Sequence, residues 1–337
     1  MSAKRLLVLS YAYAPGLGGI ERVSGLLVEG FRERGWDVRV VTSTAAQRAD
    51  PTILRRPSPW RLIRALRGAD AVVQSNVSLG LAWPLALRLV RRPWIVVNHT
   101  PIADPATRRR RRRDLLKVGS LPKRSTYAVS EFLRALDTPA ARVMPNPYDH
   151  HVFRTDGRTG DRPLLFVGRL TPAKGVDVLI DALSRLASEG RPLPLTVVGD
   201  GEQRTELEDR VRSAGLDVAF LGALPPEQVA DAMRRHRVLV VPSRPTPPEA
   251  FGLVAIEAIA CGCRVVGTAE GGLPEAIGPC GRTVPVDDVA ALATAISVTL
   301  DDGPDPEGRR DAHLRPYRLP AVLDAYEAAL EAAGLGR

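Results

Sequence analysis

The sequence predicts an α/β protein made of two parallel-sheet domains, and three observations carry that prediction. Short apolar, β-branched runs alternate with helical patterns along the chain, which is the rhythm of repeated βαβ units. The runs are continuously apolar, as expected of parallel strands that are buried on both faces. A polar, glycine-containing segment at 151–163 then interrupts the rhythm. We therefore expect two Rossmann-like domains that face each other across a cleft.

The strand-like runs fix the order of the elements. In a first domain, residues 1–155, they are RLLVLS, DVRVVT, DAVVQS and WIVVNH, followed by the shorter STYAVS and RVMPN. In a second domain, residues 160–315, they are LLFVG, LTVVGDG, VAFLG, VLVVPS and RVVGT. Residues 316–337 have the pattern of an amphipathic helix, which we expect to pack back toward the first domain.

Composition excludes several classes of protein. The 337 residues are 45% hydrophobic and 25% charged, which suits two globular domains with a sizeable core. No apolar run reaches about 18 residues and the opening MSAKRLLVLS is too short for a signal peptide, so a cytoplasmic protein is expected. Cys261, Cys263 and Cys280 lack the spacing of a zinc site or a disulfide framework, and we expect thiols in the core.

The net charge of +9 comes from arginine, because lysine occurs only at positions 4, 117, 123 and 174. Arg108 to Arg113 form an uninterrupted run. Two interpretations stay open: a solvated loop, or a surface for a phosphorylated acceptor or for peripheral contact with the inner face of a membrane. No aromatic residues interleave the arginines, so no nucleic-acid partner is expected.

Charged or glycine-bearing loops follow four strands of the second domain. In LLFVGRLTPAKG, Arg169 follows the strand and Lys174 stands at the start of a helix, an arrangement that suits a phosphate or diphosphate. Asp200 lies between two glycines where the next strand ends. Glu249 and Glu257 flank a predicted helix start near residues 251–252. With the GTAEGG turn, the four loops together predict a site for a nucleotide diphosphate that carries a polar group.

These motifs resemble a known family. GRLxxxKG, VGDG, EAFGLVAIE with its E-x7-E spacing, and GGLPE are similar to the donor-binding half of glycosyltransferase family 4, whose members are retaining enzymes of GT-B fold. In the first domain PGLGGIERV, VNHT and VMPNPYDHHVF resemble the family's glycine loop, its histidine-bearing strand end and the segment before its linker. The resemblance covers nearly the whole chain in the right order.

The resemblance implies a role for each matching residue in donor binding. Arg169 and Lys174 would bind the diphosphate and neutralise charge on the leaving nucleotide. Glu257 would accept hydrogen bonds from the ribose, and Glu249 would engage a hydroxyl of the donor sugar. The full set implied to bind the donor is Gly18, Gly19, Arg169, Lys174, Gly199, Asp200, Gly201, Glu249, Ala250, Phe251, Gly252, Leu253 and Glu257.

The resemblance also implies a catalytic set of His99, Arg169, Lys174 and Glu249. His99 would lie at the cleft, position the transferred sugar and stabilise charge near the reacting carbon. Retention would follow from attack of the acceptor hydroxyl on the side that the nucleotide leaves, so Glu249 is a weak candidate for a covalent nucleophile.

The sequence defines the identity of the donor and of the acceptor less closely than the class of reaction. We favour a UDP-linked hexose or N-acetylhexosamine, with GDP-linked donors open, and a small-molecule or lipid-linked acceptor. The acidic pairs in VDD at 286–288 and LDD at 300–302 have the pattern of helix ends, so neither a metal nor a cofactor is required. The interval between His99 and Ser130 is short for the family, which leaves the acceptor side unusually open.

Two alternative functions stay open. The chain could be a related nucleotide-sugar epimerase or a phosphorylase, although no additional acid/base group or cofactor lysine stands out. It could also be a non-catalytic, basic surface-binding protein on the same fold. The intact set of charged residues in the motifs argues against that second alternative.

Overall fold

Parallel β-sheets organise both parts of the chain in the computed structural model. It describes residues 3–14, 18–45, 50–102, 112–122, 125–157, 160–302 and 307–336. The chain divides into two units: unit 1 comprises Met1–Tyr148 and Pro316–Arg337, and unit 2 comprises Asp149–Arg315. Every strand pair in both sheets is parallel, so the prediction of two Rossmann-like α/β domains is confirmed.

The sheet of unit 1 has seven strands in the order β3-β2-β1-β4-β5-β6-β7. Their bounds are β1 Arg5–Ser10, β2 Asp37–Thr42, β3 Ile53–Arg55, β4 Ala71–Ser75, β5 Trp94–Asn98, β6 Thr126–Ala128 and β7 Arg142–Val143. The helices of this unit are α1 Gly19–Glu33, α2 Pro59–Gly68, α3 Leu79–Ala86, α4 Arg112–Gly119, α5 Glu131–Asp137 and α13 Leu319–Ala332.

The sheet of unit 2 has six strands in the order β10-β9-β8-β11-β12-β13. Their bounds are β8 Arg162–Val167, β9 Leu195–Val198, β10 Val218–Phe220, β11 His236–Val241, β12 Arg264–Thr268 and β13 Gly281–Val284. The helices are α6 Val176–Ser188, α7 Arg204–Ala214, α8 Pro226–Arg235, α9 Leu253–Ala260, α10 Leu273–Ile277, α11 Val289–Asp301 and α12 Glu307–Leu314.

The apolar runs become strands because helices cover both faces of each sheet. In unit 1, α2 and α3 pack with Leu7, Leu9 and Val72 in one core cluster. In unit 2 a larger cluster joins the strands to α6 and α11. The three cysteines are free and buried, in agreement with the prediction of core thiols. Two short strands, β3 and β13, were not predicted because each has only three or four residues with no continuous apolar run.

The acidic pairs near the end of unit 2 have structural partners. Asp288 is the N-cap of α11, and its side chain accepts a hydrogen bond from the Ala291 amide at 2.8 Å. Asp301 and Asp302 lie at the other end of that helix and pair with Arg191 and Arg282. Their use as helix-end groups confirms the sequence interpretation of VDD and LDD.

The last helix, α13, completes unit 1 by packing on α1. Gly30 of α1 is so close to it that a methyl group there would lie 2.7 Å from Leu323 Cδ1. Phe31 and Tyr326 meet edge to face, with ring centroids 6.3 Å apart. The Trp36 indole donates to Glu327 Oε1 at 3.1 Å.

The arginine run lies outside the described residues apart from its last two members, whose backbone opens α4. Among the described helices, none is both long and apolar enough to cross a membrane.

Replacement of Leu323 by alanine should destabilise unit 1. Leu323 is buried between α13 and α1, so the truncation leaves a cavity and should lower the free energy of unfolding by about 2–5 kcal/mol. All four tryptophans lie in unit 1, so urea denaturation followed by tryptophan fluorescence reports on it.

Asp324 provides the matched control one residue further along α13. Its side chain is exposed and pairs with Arg34 at the surface, so Asp324→Ala should change stability by less than about 1 kcal/mol. Equal losses in the two variants would show that the packing of α13 on α1 does not stabilise the unit.

Candidate active site

The four predicted loops of unit 2 leave four neighbouring strands at the same edge of the sheet. We call them the lysine loop (168–175, after β8), the aspartate loop (199–203, after β9), the glutamate loop (242–252, after β11) and the double-glycine loop (269–272, after β12). The strand order runs β9-β8-β11-β12, and the chain moves away from β8 and from β11 in opposite directions. Such a reversal of strand order opens a crevice in which doubly wound proteins bind ligands.

The lysine and aspartate loops are fastened to each other by their backbones. The Leu170 amide donates to Asp200 O at 2.9 Å, and the Gln203 amide donates to Leu170 O at 3.1 Å. Gly199 has a φ of +137°, and a Cβ there would lie 1.8 Å from Gly168 O. Only glycine fits this position, because the two loops touch through their main chains.

The lysine loop ends in a turn that presents Lys174. Pro172–Lys174 form one turn of 3₁₀-helix, and Gly175, with a φ of +63°, reverses the chain into α6. A Cβ on Gly175 would lie 2.0 Å from Pro242 O, so the lysine loop packs directly against the start of the glutamate loop. The KG dipeptide of the sequence motif thus has a backbone requirement as well as a charge.

Lys174 and Glu249 meet across this junction. Lys174 Nζ donates to Glu249 Oε2, and the two side chains keep 26% and 20% of their exposure. Ser243 Oγ lies 3.5 Å from the same oxygen. Sequence reasoning assigned the two residues to different parts of a donor, whereas the structure brings them into a direct ion pair.

Arg244 holds the lysine loop in place and was missed by the sequence analysis. It pairs with Asp177 in the first turn of α6 at 2.8 Å and with Asp287 at 2.6 Å, and it also donates to Pro172 O at 2.9 Å. The hydrogen bond with Asp177 and the nearby Asp287 raise the pKa of the Arg244 guanidinium. The only sequence signal was an arginine after the Pro-Ser dipeptide that follows an apolar strand.

The double-glycine loop supports the backbone of Glu249. The Gly272 amide donates to Glu249 O at 2.8 Å. Gly271, with a φ of +59°, approaches so closely that a Cβ would lie 2.1 Å from that carbonyl oxygen. Glu249 is therefore fixed by its main chain on one side and by Lys174 on the other.

Helix α9 begins directly after the glutamate loop. Gly252 is its N-cap with a φ of +96°, and the helix starts at Leu253, one or two residues later than predicted. Its first turn contains no acidic residue, so its amide groups and helix dipole favour an anion. Glu257 lies in the second turn with only 3% of its surface exposed, and it takes part in an interaction within the protein.

Arg169 and Asp200 are the exposed charged members of the predicted set. Arg169 lies at the tip of β8 and makes no ion pair with the residues that the structure describes. Asp200 Oδ1 accepts a hydrogen bond from the Gly201 amide at 2.8 Å, and its Oδ2 lies 3.6 Å from Arg204 Nη1. The Arg169 guanidinium, which belongs to the lysine loop, is thus available to an anionic ligand.

His99 belongs to unit 1, where it follows β5. The side chain is 5% exposed, and its Nε2 lies 3.1 Å from Ser75 Oγ at the end of β4. The His99 amide donates to Asn76 Oδ1 at 2.6 Å, and Asn76 itself has a φ of +63°. Ser24 Oγ donates to Ser75 Oγ at 3.2 Å, so the histidine is set in a buried shell of hydroxyl and amide groups that the sequence did not reveal.

Burial keeps His99 neutral. Desolvation lowers the pKa of its imidazole to about 4, and the side chain of Asn146 acts weakly in the opposite direction. A neutral imidazole can donate through one ring nitrogen and accept through the other, but it carries no charge near pH 7. The predicted role in charge stabilisation at the reacting carbon would therefore have to come from its dipole or backbone.

The predicted glycine loop of unit 1 opens α1. Gly18 is the N-cap of this helix, and Gly19 is its first residue. Nothing lies within 4 Å of a Cβ built on Gly19. The preceding residues 15–17 are outside the described ranges.

The fold, the loops and their charged residues define a class of enzyme. Residues 161–302 match the family model described as "Glycosyl transferases group 1". One relative in this class is 30% identical over 290 residues that make up 75% of this chain and 74% of the relative. The chain belongs to this GT4-type glycosyltransferase family, as its motifs suggested.

Three relatives illustrate the range of the family. The relative that is 30% identical over 290 residues is the GDP-mannose-dependent alpha-(1-6)-phosphatidylinositol monomannoside mannosyltransferase of Mycolicibacterium smegmatis. Glycogen synthase of Mycobacterium tuberculosis is 40% identical over 171 residues, which cover 50% of this chain and 40% of that protein. The 2-deoxystreptamine N-acetyl-D-glucosaminyltransferase of Streptomyces fradiae is 32% identical over 255 residues, or 66% and 60% of the two chains. The chain thus spans about two fifths of the glycogen synthase that it matches.

Solved structures show the same fold over the whole chain. Anabaena HepE in complex with UDP and glucose superimposes with a TM-score of 0.75 at 17% identity, covering 98% of this chain and 100% of HepE. A glycosyltransferase from Rickettsia africae has a TM-score of 0.80 at 17% identity, with full coverage of both chains.

The lowered pKa of His99 should make unit 1 lose stability in mild acid. In the unfolded chain the His99 imidazole has a pKa near 6.5 and is protonated below that pH. In the folded protein it is protonated only below about pH 4. The contribution of neutral His99 to the free energy of unfolding is complete above pH 6.5. It falls by up to about 3 kcal/mol as the pH is lowered toward 4. His99→Gln should therefore show a shallower fall in the free energy of unfolding, measured by tryptophan fluorescence in urea from pH 7 to pH 4.

His151→Gln, at an exposed position of unit 2, supplies the control for the replacement of a histidine by glutamine. The prediction is wrong if native protein and His99→Gln lose stability in parallel over this range.

Proposed function

We propose that the protein is a retaining glycosyltransferase that transfers a hexose or N-acetylhexosamine from a nucleotide diphosphate sugar to an acceptor hydroxyl. The observation that carries the proposal is the contact between Lys174 and Glu249 at the reversal of strand order, flanked by Arg169 and by the first turn of α9. Cationic and hydrogen-bonding groups converge there, as a diphosphate with an attached sugar requires.

In this proposal the lysine loop binds the diphosphate. Arg169 is exposed and Lys174 keeps about a quarter of its side-chain exposure, so both can reach a ligand without rearranging the core. Together they offer two positive charges to the leaving nucleoside diphosphate, which stabilises the charge that develops as the glycosidic bond breaks. Gly18 and Gly19 would let the backbone of α1 approach the same phosphates.

The ion pair suggests how the free site stays balanced before a donor binds. Glu249 neutralises Lys174 in the free protein. A diphosphate would compete for the ammonium group, because it brings more negative charge than one carboxylate. Glu249 would then be released to accept a hydrogen bond from a sugar hydroxyl, so that one exchange of partners couples binding of the diphosphate to recognition of the sugar.

The remaining contacts follow the same division of labour. Glu257 would accept hydrogen bonds from the ribose, and the aspartate loop would approach the base through Gly199, Asp200 and Gly201. The backbone of residues 250–253 would contact the other face of the sugar. His99 would position the sugar through its backbone and its neutral ring, consistent with the lowered pKa.

Among donors we favour UDP-linked sugars over GDP-linked ones. HepE, which has the same fold, is in complex with UDP and glucose, whereas the mannosyltransferase of M. smegmatis depends on GDP-mannose. The relatives act on a small aminocyclitol in one case and on a lipid in another, so the acceptor class stays a small-molecule or lipid-linked hydroxyl compound.

We propose that transfer does not need a metal ion. Three acidic groups near the lysine loop are already engaged within the protein: Asp177 and Asp287 pair with Arg244, and Asp288 caps α11. Charge on the leaving diphosphate would be balanced by Arg169, Lys174 and the amide groups of α9 instead.

The membrane contact considered from the sequence is a separate part of the proposal. Arg108 to Arg113 would contact an anionic acceptor or a membrane surface on the inner face. A serine variant of Arg110 to Arg113 should keep the nucleotide affinity of the native protein.

Lys174→Met should weaken binding of a nucleotide diphosphate sugar by about tenfold to a hundredfold, since loss of one charge-assisted contact is worth about 1.5–3 kcal/mol. Glu257→Ala should cause a similar loss. Isothermal titration with UDP, UDP-glucose, UDP-N-acetylglucosamine and GDP-mannose measures both effects and ranks the donors.

Uridine, which lacks phosphates, is the matched ligand for this experiment. Lys174→Met should leave the affinity for uridine unchanged, whereas Glu257→Ala should weaken it along with the diphosphates. Unchanged affinity of both variants for every nucleotide would remove the donor assignment.

The product should keep the anomeric configuration of the donor. Two-dimensional NMR of the glycoside formed from an α-linked UDP-sugar should show the small coupling constant between the first and second sugar protons that is typical of an α-glucoside. Excess EDTA should leave the initial rate unchanged, while a β-linked product or loss of activity with EDTA would contradict the proposed mechanism.

A further inference from the structure

One part of unit 1 carries a large excess of positive charge. Residues 51–103 contain eight arginines, no lysine and one acidic residue, Asp70, which gives 8 − 1 = +7 of the total of +9. Asp70 is paired with Arg5 at 2.8 Å. Neither the donor site nor the arginine run at 108–113 accounts for this excess.

Helix α2 presents part of this charge together with an exposed tryptophan. Trp60, Arg64 and Arg67 are spaced i, i+4 and i+7 and so share one helical face. Trp60 is 80% exposed, and the opposite face is buried through Leu62 and Leu66. An indole this exposed has no packing role in the described part of the chain.

The segment after α3 adds exposed aliphatic side chains to the same surface. Leu87 is 66% exposed and Leu89 is 54% exposed, and the left-handed Arg88 between them has a φ of +58°. Arg92 Nη2 donates to Arg67 O at 2.7 Å, which brings this segment against the end of α2. Arg91, which is exposed beside Arg92, belongs to the same segment. We call Trp60, Arg64, Arg67, Leu87, Leu89 and Arg91 the basic-apolar face.

The helices that carry this face lie on one side of the sheet. Leu62 and Leu66 of α2 and Leu81 and Leu85 of α3 belong to one core cluster. A cavity of about 470 Å³ lies beside α2, lined in part by Arg61, Arg64 and Arg39. It is large enough to take a phosphate group, although Asp37 on its wall reduces the local positive charge.

We propose that the basic-apolar face binds the surface of an anionic lipid bilayer. Arginine side chains attract anionic headgroups. Exposed tryptophan and leucine gain free energy by entering the interface between headgroups and acyl chains. The two leucines argue against a nucleic acid, because a strand binds through aromatic stacking and gains nothing from aliphatic side chains.

The binding is peripheral and depends on salt. In this proposal, attachment rests on the charge of the arginines and on a few inserted side chains. Electrostatic attraction weakens as the Debye length shortens at higher ionic strength. This surface is independent of the proposed transferase reaction, so the two inferences succeed or fail separately.

Co-sedimentation of the full chain with vesicles tests the proposal. The native protein should bind vesicles of phosphatidylcholine with phosphatidylglycerol, and it should leave vesicles of phosphatidylcholine alone in the supernatant. Arg64→Ser, Arg67→Ser and Arg91→Ser combined should lower the partition coefficient about a hundredfold, since each basic residue near the surface adds roughly a factor of five.

The matched control removes three arginines from exposed positions of unit 2. Arg185, Arg210 and Arg212 lie in surface ion pairs, and their combined replacement by serine lowers the net charge by the same amount. The control should retain binding within about threefold. Equal losses in both triple variants would overturn the proposal, as would native binding to the neutral vesicles at the same level.

Trp60 gives a spectroscopic reading of the same contact. The other tryptophans are buried or half-buried, so Trp60 should supply most of the blue shift on adding anionic vesicles. That shift should be lost in Trp60→Phe, and brominated lipids should quench the native emission. A shift that survives in Trp60→Phe would contradict insertion at this face.

Two further outcomes would contradict the proposal, because they would assign the binding to another surface or the face to another partner. If the serine variant of Arg110 to Arg113 loses vesicle binding while the Arg64, Arg67 and Arg91 variant keeps it, the contact lies on the arginine run. If single-stranded RNA binds and vesicles do not, the partner of the face is a nucleic acid. Circular dichroism melts of each variant exclude misfolding as the cause of lost binding.

Discussion

The ion pair between Lys174 and Glu249 depends on the parallel pairing of β8 with β11. The two residues are 75 positions apart, and their strands are adjacent at the point where strand order reverses. Each loop leaves its strand at the same edge, so the charged side chains meet without a long connection. A shift in the pairing of these two strands would separate the groups on which the proposed donor site depends.

Close backbone packing fixes the positions of Lys174 and Glu249 relative to each other. Gly175 approaches Pro242, and Gly271 approaches the carbonyl group of Glu249, each at a distance that excludes a side chain. Arg244 then joins the lysine loop to α6 and to Asp287. Lys174 and Arg169 thus project from closely packed loops, which lowers the entropy lost when a ligand binds.

The sequence predicted the class of fold and most strands because buried parallel strands leave long apolar runs. It could not predict strand order, since loops after β8 and β11 become neighbours only through pairing between distant segments. It proposed the chemistry of Lys174 and Glu249 but not their contact. It missed Arg244 and the buried shell around His99, because partners such as Ser75 come from other strands and carry no local pattern.

The different environments of Glu249 and Glu257 indicate that the two carboxylates have different roles. Glu249 keeps a fifth of its side-chain exposure and is paired with a lysine, whereas Glu257 is buried within α9. A hydrolase that uses two carboxylates needs one of them protonated and the other open to water or to the sugar. Glu249 is paired with the ammonium group of Lys174, an arrangement that suits an acceptor of hydrogen bonds better than a general acid. In these surroundings the two carboxylates are better suited to hold one donor molecule at two points than to act as the acid and base of a hydrolase.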